Sequence, residues 1–205
     1  MSASGTRLLL ARHGQTVWHA ENRYAGVSEV GLTDEGRAQA RALGDWAARH
    51  PVDAVVTSPQ RRAIETAAPA CAALGLTAER EPGLRECDFG VVEGRTLAEF
   101  AASEPDAARA FLADPVGCPF PGAEDPRAAA ARATAALRGV AAAHDGQRVL
   151  VVAHNTLLRL ALCALLGIPL PEYRRVLPSL HNAAVTELRL TPTTCALLTL
   201  NRPTR

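Results

Sequence analysis

Three short apolar runs, each followed by polar residues, form the clearest pattern in this chain. They lie at Leu8–Ala11, Asp53–Thr57 and Arg148–Ala153. Because their apolar residues are continuous rather than alternating, the runs predict strands of a sheet that helices cover on both faces. The predicted fold class is α/β: a single three-layer α/β/α domain over residues 1–205, with a mostly parallel central sheet.

Helix signals follow each of these runs. The first helix is predicted to begin after Thr33, a residue type that caps helices well, and to end near His50. Ser58 and Pro59 predict a capped start for the second helix. The third is predicted over Thr156–Leu166. This alternation of strand and helix is typical of a parallel sheet.

The rest of the chain predicts two further features. Val185–Leu190 and Cys195–Leu200 predict a closing hairpin or edge pair. The alanine-rich stretches Leu97–Ala113 and Arg127–Ala143 predict helices on either side of a Pro/Gly-rich connection, Asp114–Pro126. We interpret this middle part as a small helical insertion over the carboxyl ends of the strands rather than as a second domain.

The composition indicates a globular protein without a strongly charged partner. Of the 205 residues, 48% are hydrophobic, and the net charge is +1. This balance offers no field to attract nucleic acid or an anionic membrane, so neither is expected as a partner. Lysine is absent, which excludes a phosphate-binding loop of the G-x-x-x-x-G-K-[ST] type.

Three features favour a cytoplasmic location. Residues 1–7 lack the charged start and the long apolar middle of a signal peptide. No apolar run reaches the length needed to span a membrane. The cysteines are scattered and odd in number, which favours a reducing compartment over a disulfide framework. They are Cys71, Cys87, Cys118, Cys163 and Cys195.

Polar side chains collect where the predicted strands end. Arg12 and His13 follow the first run, Arg62 lies one turn into the second helix, and His154 and Asn155 follow the third run. In open α/β sheets, ligands bind beyond the carboxyl ends of the strands. We therefore expect these side chains to meet in one site.

Together with Glu86, these residues suit the cleavage of a phosphomonoester. Arginine binds phosphate oxygens in bidentate fashion, and a neutral imidazole among cations stays nucleophilic. A glutamate can protonate the leaving alkoxide and later activate water. His13 is therefore the candidate nucleophile, Arg12 the candidate phosphate ligand and Glu86 the candidate general acid and base.

Several motifs resemble the histidine phosphatase superfamily, the phosphoglycerate mutase-like proteins. R-H-G-Q-T at 12–16 resembles the family's R-H-G-x-[ST] signature. L-T-x-x-G at 32–36, S-P-Q-R-R-A at 58–63, the glutamate loop at 84–94 and V-V-A-H at 151–154 follow in the family's order. The glutamate loop is most similar to the phosphatase branch.

The resemblance implies a role for each of these residues. His13 would carry a transient phosphohistidine, and Glu86 would be the proton donor. Arg12, Arg62 and His154 would form the phosphate pocket. The substrate and phosphate side would include Gln15, Thr16, His19, Ala25, Gly26 and Asn155. No metal or organic cofactor is implied.

Two positions depart from the family pattern, and both bear on substrate choice. The family commonly has asparagine where this chain has His19, and usually has glycine where it has Asn155. A histidine can still donate to a phosphate oxygen, but its charge depends on pH. We expect the pocket rim to come from the loop after Gly26 and from Asp114–Pro126.

Three functions stay open on the sequence. The favoured one is a metal-independent phosphatase acting on a small phosphorylated metabolite. The others are a cofactor-dependent phosphoglycerate mutase and an inactive module that binds a phosphometabolite. A cysteine phosphatase is excluded because no cysteine has arginine six positions later, and zinc binding by His13 and His19 lacks a third ligand. A homodimer is left open.

Overall fold

Six strands form one sheet at the centre of the computed structural model, which describes residues 5–205. The strands are β1 (Thr6–Arg12), β2 (Ala54–Thr57), β3 (Glu79–Arg80), β4 (Arg148–Ala153), β5 (Val185–Leu190) and β6 (Cys195–Arg202). Their order is β3-β2-β4-β1-β5-β6, with β1 to β4 parallel and β5 and β6 antiparallel at one edge. The predicted mostly parallel sheet and closing edge pair are confirmed. Residues 1–4, part of the segment without signal-peptide features, lie outside the described residues.

Within residues 5–205, seven α-helices surround or flank the sheet. They are α1 (Asp34–Arg49), α2 (Arg61–Leu74), α3 (Leu97–Ser103), α4 (Pro105–Ala113), α5 (Pro126–Ala143), α6 (Asn155–Leu166) and α7 (Tyr173–Val176). The predicted cap of α1 is confirmed, because the Thr33 hydroxyl accepts a hydrogen bond from the Gly36 N–H at 3.0 Å. Among residues 5–205, no helix is long and apolar enough to span a membrane.

Two helix predictions are wrong in detail. The stretch predicted as one helix over Leu97–Ala113 is broken at Glu104, whose φ of −133° and ψ of 63° are not helical. The following Pro105 disfavours a helical conformation at the residue before it. The second helix begins at Arg61 rather than directly after Ser58, and its N-cap residue, Gln60, makes no side-chain capping bond.

Alternate side chains of β1 enter two different cores. Leu8 and Leu10 pack with α5 and α6 on one face of the sheet, whereas Leu9 and Ala11 pack with α1 and α2 on the other. Because side chains alternate along a strand, a strand covered on both faces must be apolar throughout. This arrangement confirms the inference drawn from the continuous apolar runs.

A third, smaller cluster belongs to the helical insertion. It is formed by side chains of α3, α4 and the loops beside them, namely Val92, Phe100, Ala108, Phe111 and Phe120. In contrast, α5 packs beside α6 against the sheet. The insertion therefore comprises α3, α4 and the connection after them, and α5 belongs to the helical layer.

Candidate active site

A cavity of about 390 Å³ lies beyond the carboxyl end of β1, beside the N-terminus of α6. Of the residues predicted for the site, those that line it are Arg12, His13, Thr16, His19, Ala25, Glu86 and Asn155. The structure therefore brings together side chains from segments far apart in the chain. Arg62 and His154 are fully buried beneath this lining.

The His13 imidazole is buried, with only 5% of the residue exposed. Its Nδ1 lies 2.8 Å from the Gly14 carbonyl oxygen. Because a carbonyl can only accept a hydrogen bond, this contact places the ring proton on Nδ1 and leaves the Nε2 lone pair free. Burial and the charges of Arg62 and Arg12 lower the pKa of His13 well below its usual range. The ring is therefore neutral at physiological pH.

The Arg12 guanidinium lies at the end of β1 and is held from two sides. It donates to the Leu180 carbonyl at 3.0 Å and to Nε2 of His19 at 2.6 Å. Burial lowers the pKa of Arg12 to about 10, so the side chain keeps its charge at neutral pH. A fixed cation beside His13 is suited to hold an anionic group there.

Arg62 has no exposed surface and is oriented by the loop after β1. One terminal nitrogen donates to the Ser28 carbonyl at 2.8 Å, and the other donates to the carbonyls of Ala25 and Gly26 at 3.1 and 2.8 Å. Burial lowers the pKa of Arg62 as well. These bonds leave the Nε atom for another acceptor.

His154 directly follows the central strand β4 and lies next to the candidate nucleophile. Its ring centroid is 5.2 Å from that of His13. Its Nε2 lies 2.7 Å from the Ser58 hydroxyl oxygen, and that oxygen accepts a bond from the Gln60 N–H at 3.3 Å. Burial and the charge of Arg62 lower the pKa of His154 well below its usual range, so this ring is neutral too.

Three buried nitrogen atoms around His13 have no hydrogen-bond partner within residues 5–205. They are Nε of Arg12, Nε of Arg62 and Nδ1 of His154. Buried polar atoms in proteins are nearly always satisfied, and an exception calls for an explanation. Acceptor oxygens of a bound anion would satisfy donors at these positions.

Glu86 faces this group from the glutamate loop and is almost completely buried. One carboxylate oxygen accepts from the N–H groups of Cys87 and Leu157 at 3.0 and 2.8 Å, and the other accepts from Thr156 at 3.1 Å. Two of these donors belong to the first turn of α6. Burial raises the pKa of Glu86, and the hydrogen bonds and Arg62 offset this only in part. A raised pKa suits a group that must both give and take a proton.

His19 and Asn155, the two departures from the family pattern, both support Arg12. The pKa of His19 falls to about 4 through burial and the charge of Arg12, so the neutral ring accepts the bond from Arg12. The Asn155 side-chain oxygen accepts from the Leu180 N–H at 3.1 Å. Because the Leu180 carbonyl holds Arg12, Asn155 positions Arg12 through that backbone.

Gln15 and Gly26 lie outside the cavity, in contrast to the expectation. The Gln15 side-chain oxygen accepts from the Thr33 hydroxyl at 2.8 Å, which turns it towards α1. A Cβ at Gly26 would lie 2.1 Å from Oε1 of Glu93 and 2.2 Å from the Cys87 carbonyl oxygen. Gly26 therefore allows the two loops to approach closely enough for its carbonyl to hold Arg62.

The pocket rim also differs from the expectation. In the described part of the chain, neither the loop directly after Gly26 nor Asp114–Pro126 lines the cavity. Phe111 on α4 lines it instead, together with residues in and after α7, which packs against α6. The sequence offered no periodicity or motif that distinguishes this segment.

Several site residues escaped the sequence reasoning. The Gln60 side chain bridges the Gly26 carbonyl and the Glu86 N–H at 2.6 and 2.8 Å. The Asn182 amide donates to the His13 carbonyl at 2.7 Å. Arg159, which also lines the cavity, had one usable signal: a charged residue in an otherwise apolar helix. Within residues 5–205, no group of three or more His, Cys, Asp or Glu side chains is arranged to hold a metal ion.

A buried, neutral histidine beside two arginines, at the carboxyl end of a strand in the centre of an α/β sheet, forms a site suited to bind a phosphate group. The family model of the histidine phosphatase superfamily, branch 1, matches residues 8–203. The chain belongs to this superfamily, as its motifs predicted.

The relatives include phosphatases. An acid phosphatase of Mycobacterium tuberculosis is 37% identical over 179 residues, which cover 85% of this chain and 83% of that protein. The solved structure of a mycobacterial glucosyl-3-phosphoglycerate phosphatase matches with a TM-score of 0.86 and 28% identity, over 96% of this chain and 99% of that one. The bifunctional protein Rv2228c of Mycobacterium tuberculosis is 40% identical over 168 residues, or 80% of this chain. The chain matches only 46% of that relative's length.

Proposed function

We propose that this protein is a metal-independent phosphatase that hydrolyses a small phosphomonoester through a phosphohistidine at His13. The observation that carries this proposal is the bond from Nδ1 of His13 to the Gly14 carbonyl, since it leaves Nε2 unprotonated. The charges of the neighbouring Arg62 and Arg12 favour a phosphate dianion at that atom. The acid phosphatase among the relatives supports the same chemistry.

In the first step, Nε2 of His13 attacks phosphorus and the bond from phosphorus to the ester oxygen breaks. Protonated Glu86 gives its proton to the departing oxygen, so that an alcohol leaves. Arg12 and Arg62 hold the phosphoryl oxygens. His154 donates to a phosphoryl oxygen from Nδ1, in the tautomer whose Nε2 accepts from the Ser58 hydroxyl.

In the second step, the Glu86 carboxylate takes a proton from water and the resulting hydroxide attacks phosphorus. The bond from phosphorus to Nε2 breaks, inorganic phosphate leaves, and His13 and Glu86 regain their starting states. The cavity volume of about 390 Å³ suits a small phosphorylated metabolite as the substrate.

The test is the replacement His13→Ala, assayed on p-nitrophenyl phosphate. Loss of the catalytic nucleophile costs a serine protease on the order of 10⁶-fold in rate, and we expect turnover to fall to background here. Rapid quenching of the wild type with radiolabelled substrate should trap acid-labile, alkali-stable phosphate on the protein, and the variant should trap none.

His181→Ala, a change at an exposed histidine outside the cavity, is the matched control and should keep full turnover. Circular dichroism should show that His13→Ala stays folded. A folded His13→Ala variant that retains most of the activity would overturn the proposal. Interconversion of 2- and 3-phosphoglycerate faster than phosphate release would instead favour the mutase reaction.

A further inference from the structure

The cavity extends from the phosphate-binding end to a second group of positive charges. Arg159 on α6 and Arg174 on α7 both line it, together with Tyr24 and Tyr173. Neither arginine has a role in the two-step reaction. Among residues 5–205, neither forms an ion pair with a carboxylate.

Arg159 is only 6% exposed, which is unusual for an arginine without a carboxylate partner. Its guanidinium lies 4.7 Å from the centre of the Tyr173 ring. Nε and one terminal nitrogen donate to the carbonyls of Leu177 and Tyr173, and the other terminal nitrogen makes no hydrogen bond within the described residues. The buried charge is therefore oriented by its backbone contacts and keeps one nitrogen available to a ligand.

Arg174 lies at the rim of the cavity, beside the helical insertion. Its guanidinium is 5.2 Å from the centre of the Phe111 ring on α4. Its charge acts on the Tyr24 phenol and opposes the rise in the Tyr24 pKa that burial causes. The aromatic contacts hold the guanidinium over the cavity without neutralising it.

Neighbouring arginines show how different this pair is. Arg23 also lines the cavity, but its charge is matched by Glu21 at 2.6 Å and Glu99 at 2.8 Å. Arg175, next to Arg174, pairs with Glu172 and lies outside the cavity. Arg159 and Arg174 are thus the cavity arginines beyond the phosphate end that lack a countercharge in the described part of the chain.

The position of the pair relates it to the leaving group. The Glu86 carboxylate accepts hydrogen bonds from the Thr156 and Leu157 N–H groups in the first turn of α6, and Arg159 lies a little further along the same helix. Both side chains line the cavity, so Arg159 lies near the group that protonates the ester oxygen. A negative charge a few bonds from that oxygen would therefore reach the pair. Two unneutralised cations in a partly buried cavity favour an anionic ligand.

We propose that Arg159 and Arg174 form a second anion subsite, which binds a carboxylate or a second phosphate on the leaving group of the substrate. This inference rests on the proposed phosphatase function and narrows its substrate class to phosphorylated small acids or bisphosphates. Both ligand types share the chemistry that the subsite recognises, namely oxygens that accept from guanidinium groups.

The test compares probes that differ in this one charge. 3-Phosphoglycerate and glycerol 3-phosphate differ in a carboxylate, and fructose 1,6-bisphosphate and fructose 6-phosphate differ in a second phosphate. Each is measured as a competitor of p-nitrophenyl phosphate hydrolysis, so that the result does not depend on its own turnover. In at least one pair, we expect the member with the additional carboxylate or phosphate to compete at about tenfold lower concentration. Hydrogen bonds to charged groups are stronger than those between neutral groups.

The variant Arg174→Gln removes the rim charge without disturbing the buried Arg159. It should reduce the preference for the competitor with the additional negative group by about tenfold. Arg175→Gln, on the next residue of the same helix, should keep the wild-type preference. Raising the salt concentration should weaken the preference, because the rim is open to solvent.

Equal competition within both pairs in the wild type would overturn the second subsite. The subsite is equally refuted if Arg174→Gln keeps the wild-type preference, or if Arg175→Gln loses as much of it as Arg174→Gln. Any of these results leaves the phosphatase proposal standing as long as p-nitrophenyl phosphate is hydrolysed in a His13-dependent way. The pair of probes that shows the preference identifies whether the ligand group is a carboxylate or a phosphate.

Discussion

Replacing His19 with asparagine is expected to make the protein less sensitive to acid. Nε2 of His19 accepts a hydrogen bond from Arg12 at 2.6 Å, and Nδ1 lies 2.8 Å from the Thr16 hydroxyl. Burial, followed by the charge of Arg12, lowers the pKa of His19 from 6.5 to about 4. The folded protein therefore resists a proton that the unfolded chain accepts.

The direction of the stability change with pH follows from the protonation of His19 in the folded and the unfolded protein. Above pH 6.5 the ring is neutral in both states, and the stability is fully present. As the pH falls from 6.5 towards about 4, only the unfolded chain gains the proton, so the free energy of unfolding decreases. At about pH 5, proton linkage alone amounts to roughly 2 kcal/mol. Because the ring is only partly buried, screening by solvent reduces this to roughly 1 kcal/mol.

The assay is urea denaturation of the wild type and His19→Asn at two pH values. At about pH 7.5 His19 is neutral in both states, and at about pH 5 it is protonated in the unfolded chain alone. The wild type should lose roughly 1 kcal/mol more than the variant over this interval. The neutral rings of His13 and His154 contribute to both proteins and cancel in the comparison. His181→Asn controls for the same exchange outside the cavity. Parallel losses in wild type and His19→Asn would refute the reasoning.

Two further predictions concern the glutamate loop. Glu86→Gln removes the proton donor, and kcat/KM on an alkyl phosphate, which reports the first step alone, should fall by about 10²–10⁴-fold. The loss of kcat/KM on p-nitrophenyl phosphate should be much smaller, because that leaving group departs without a proton; equal losses of kcat/KM on both substrates would contradict the acid role. Gly26→Ala places a Cβ 2.1 Å from Oε1 of Glu93 and should lower the free energy of unfolding in urea by about 1–3 kcal/mol. Gly31→Ala, whose Cβ would meet no atom within 4 Å, is the control; similar stability losses in both variants would show that crowding is not the cause.

Much of the fold follows from local sequence signals. The continuous apolar runs indicated strands β1, β2 and β4 within one residue or two of their observed ends, and Thr33 marked the start of α1. These signals work because strand burial and helix capping depend on residues close in the chain. The break at Glu104 also has a local cause in Pro105, which the alanine-rich composition of the stretch obscured.

The candidate site was predictable as a set of residues but not as a geometry. The rule that ligands bind at the carboxyl ends of strands was enough to group Arg12, His13, Arg62 and His154. It could not separate Gln15, which turns towards α1, from Thr16, which lines the cavity. That separation depends on which partner each side chain finds after the sheet has assembled.

The amino-acid sequence by itself determined the strand and helix order, the superfamily and the residues able to carry the chemistry. Tertiary structure alone decided which nitrogen of His13 is free, how Arg12 is held by Leu180 and His19, and that Arg159 and Arg174 share a cavity with Glu86. The physical reason is the range of the interactions. Caps and apolar patterns act over a few residues, whereas burial, hydrogen-bond partners and charge neighbours are set by segments that meet only when the chain has folded.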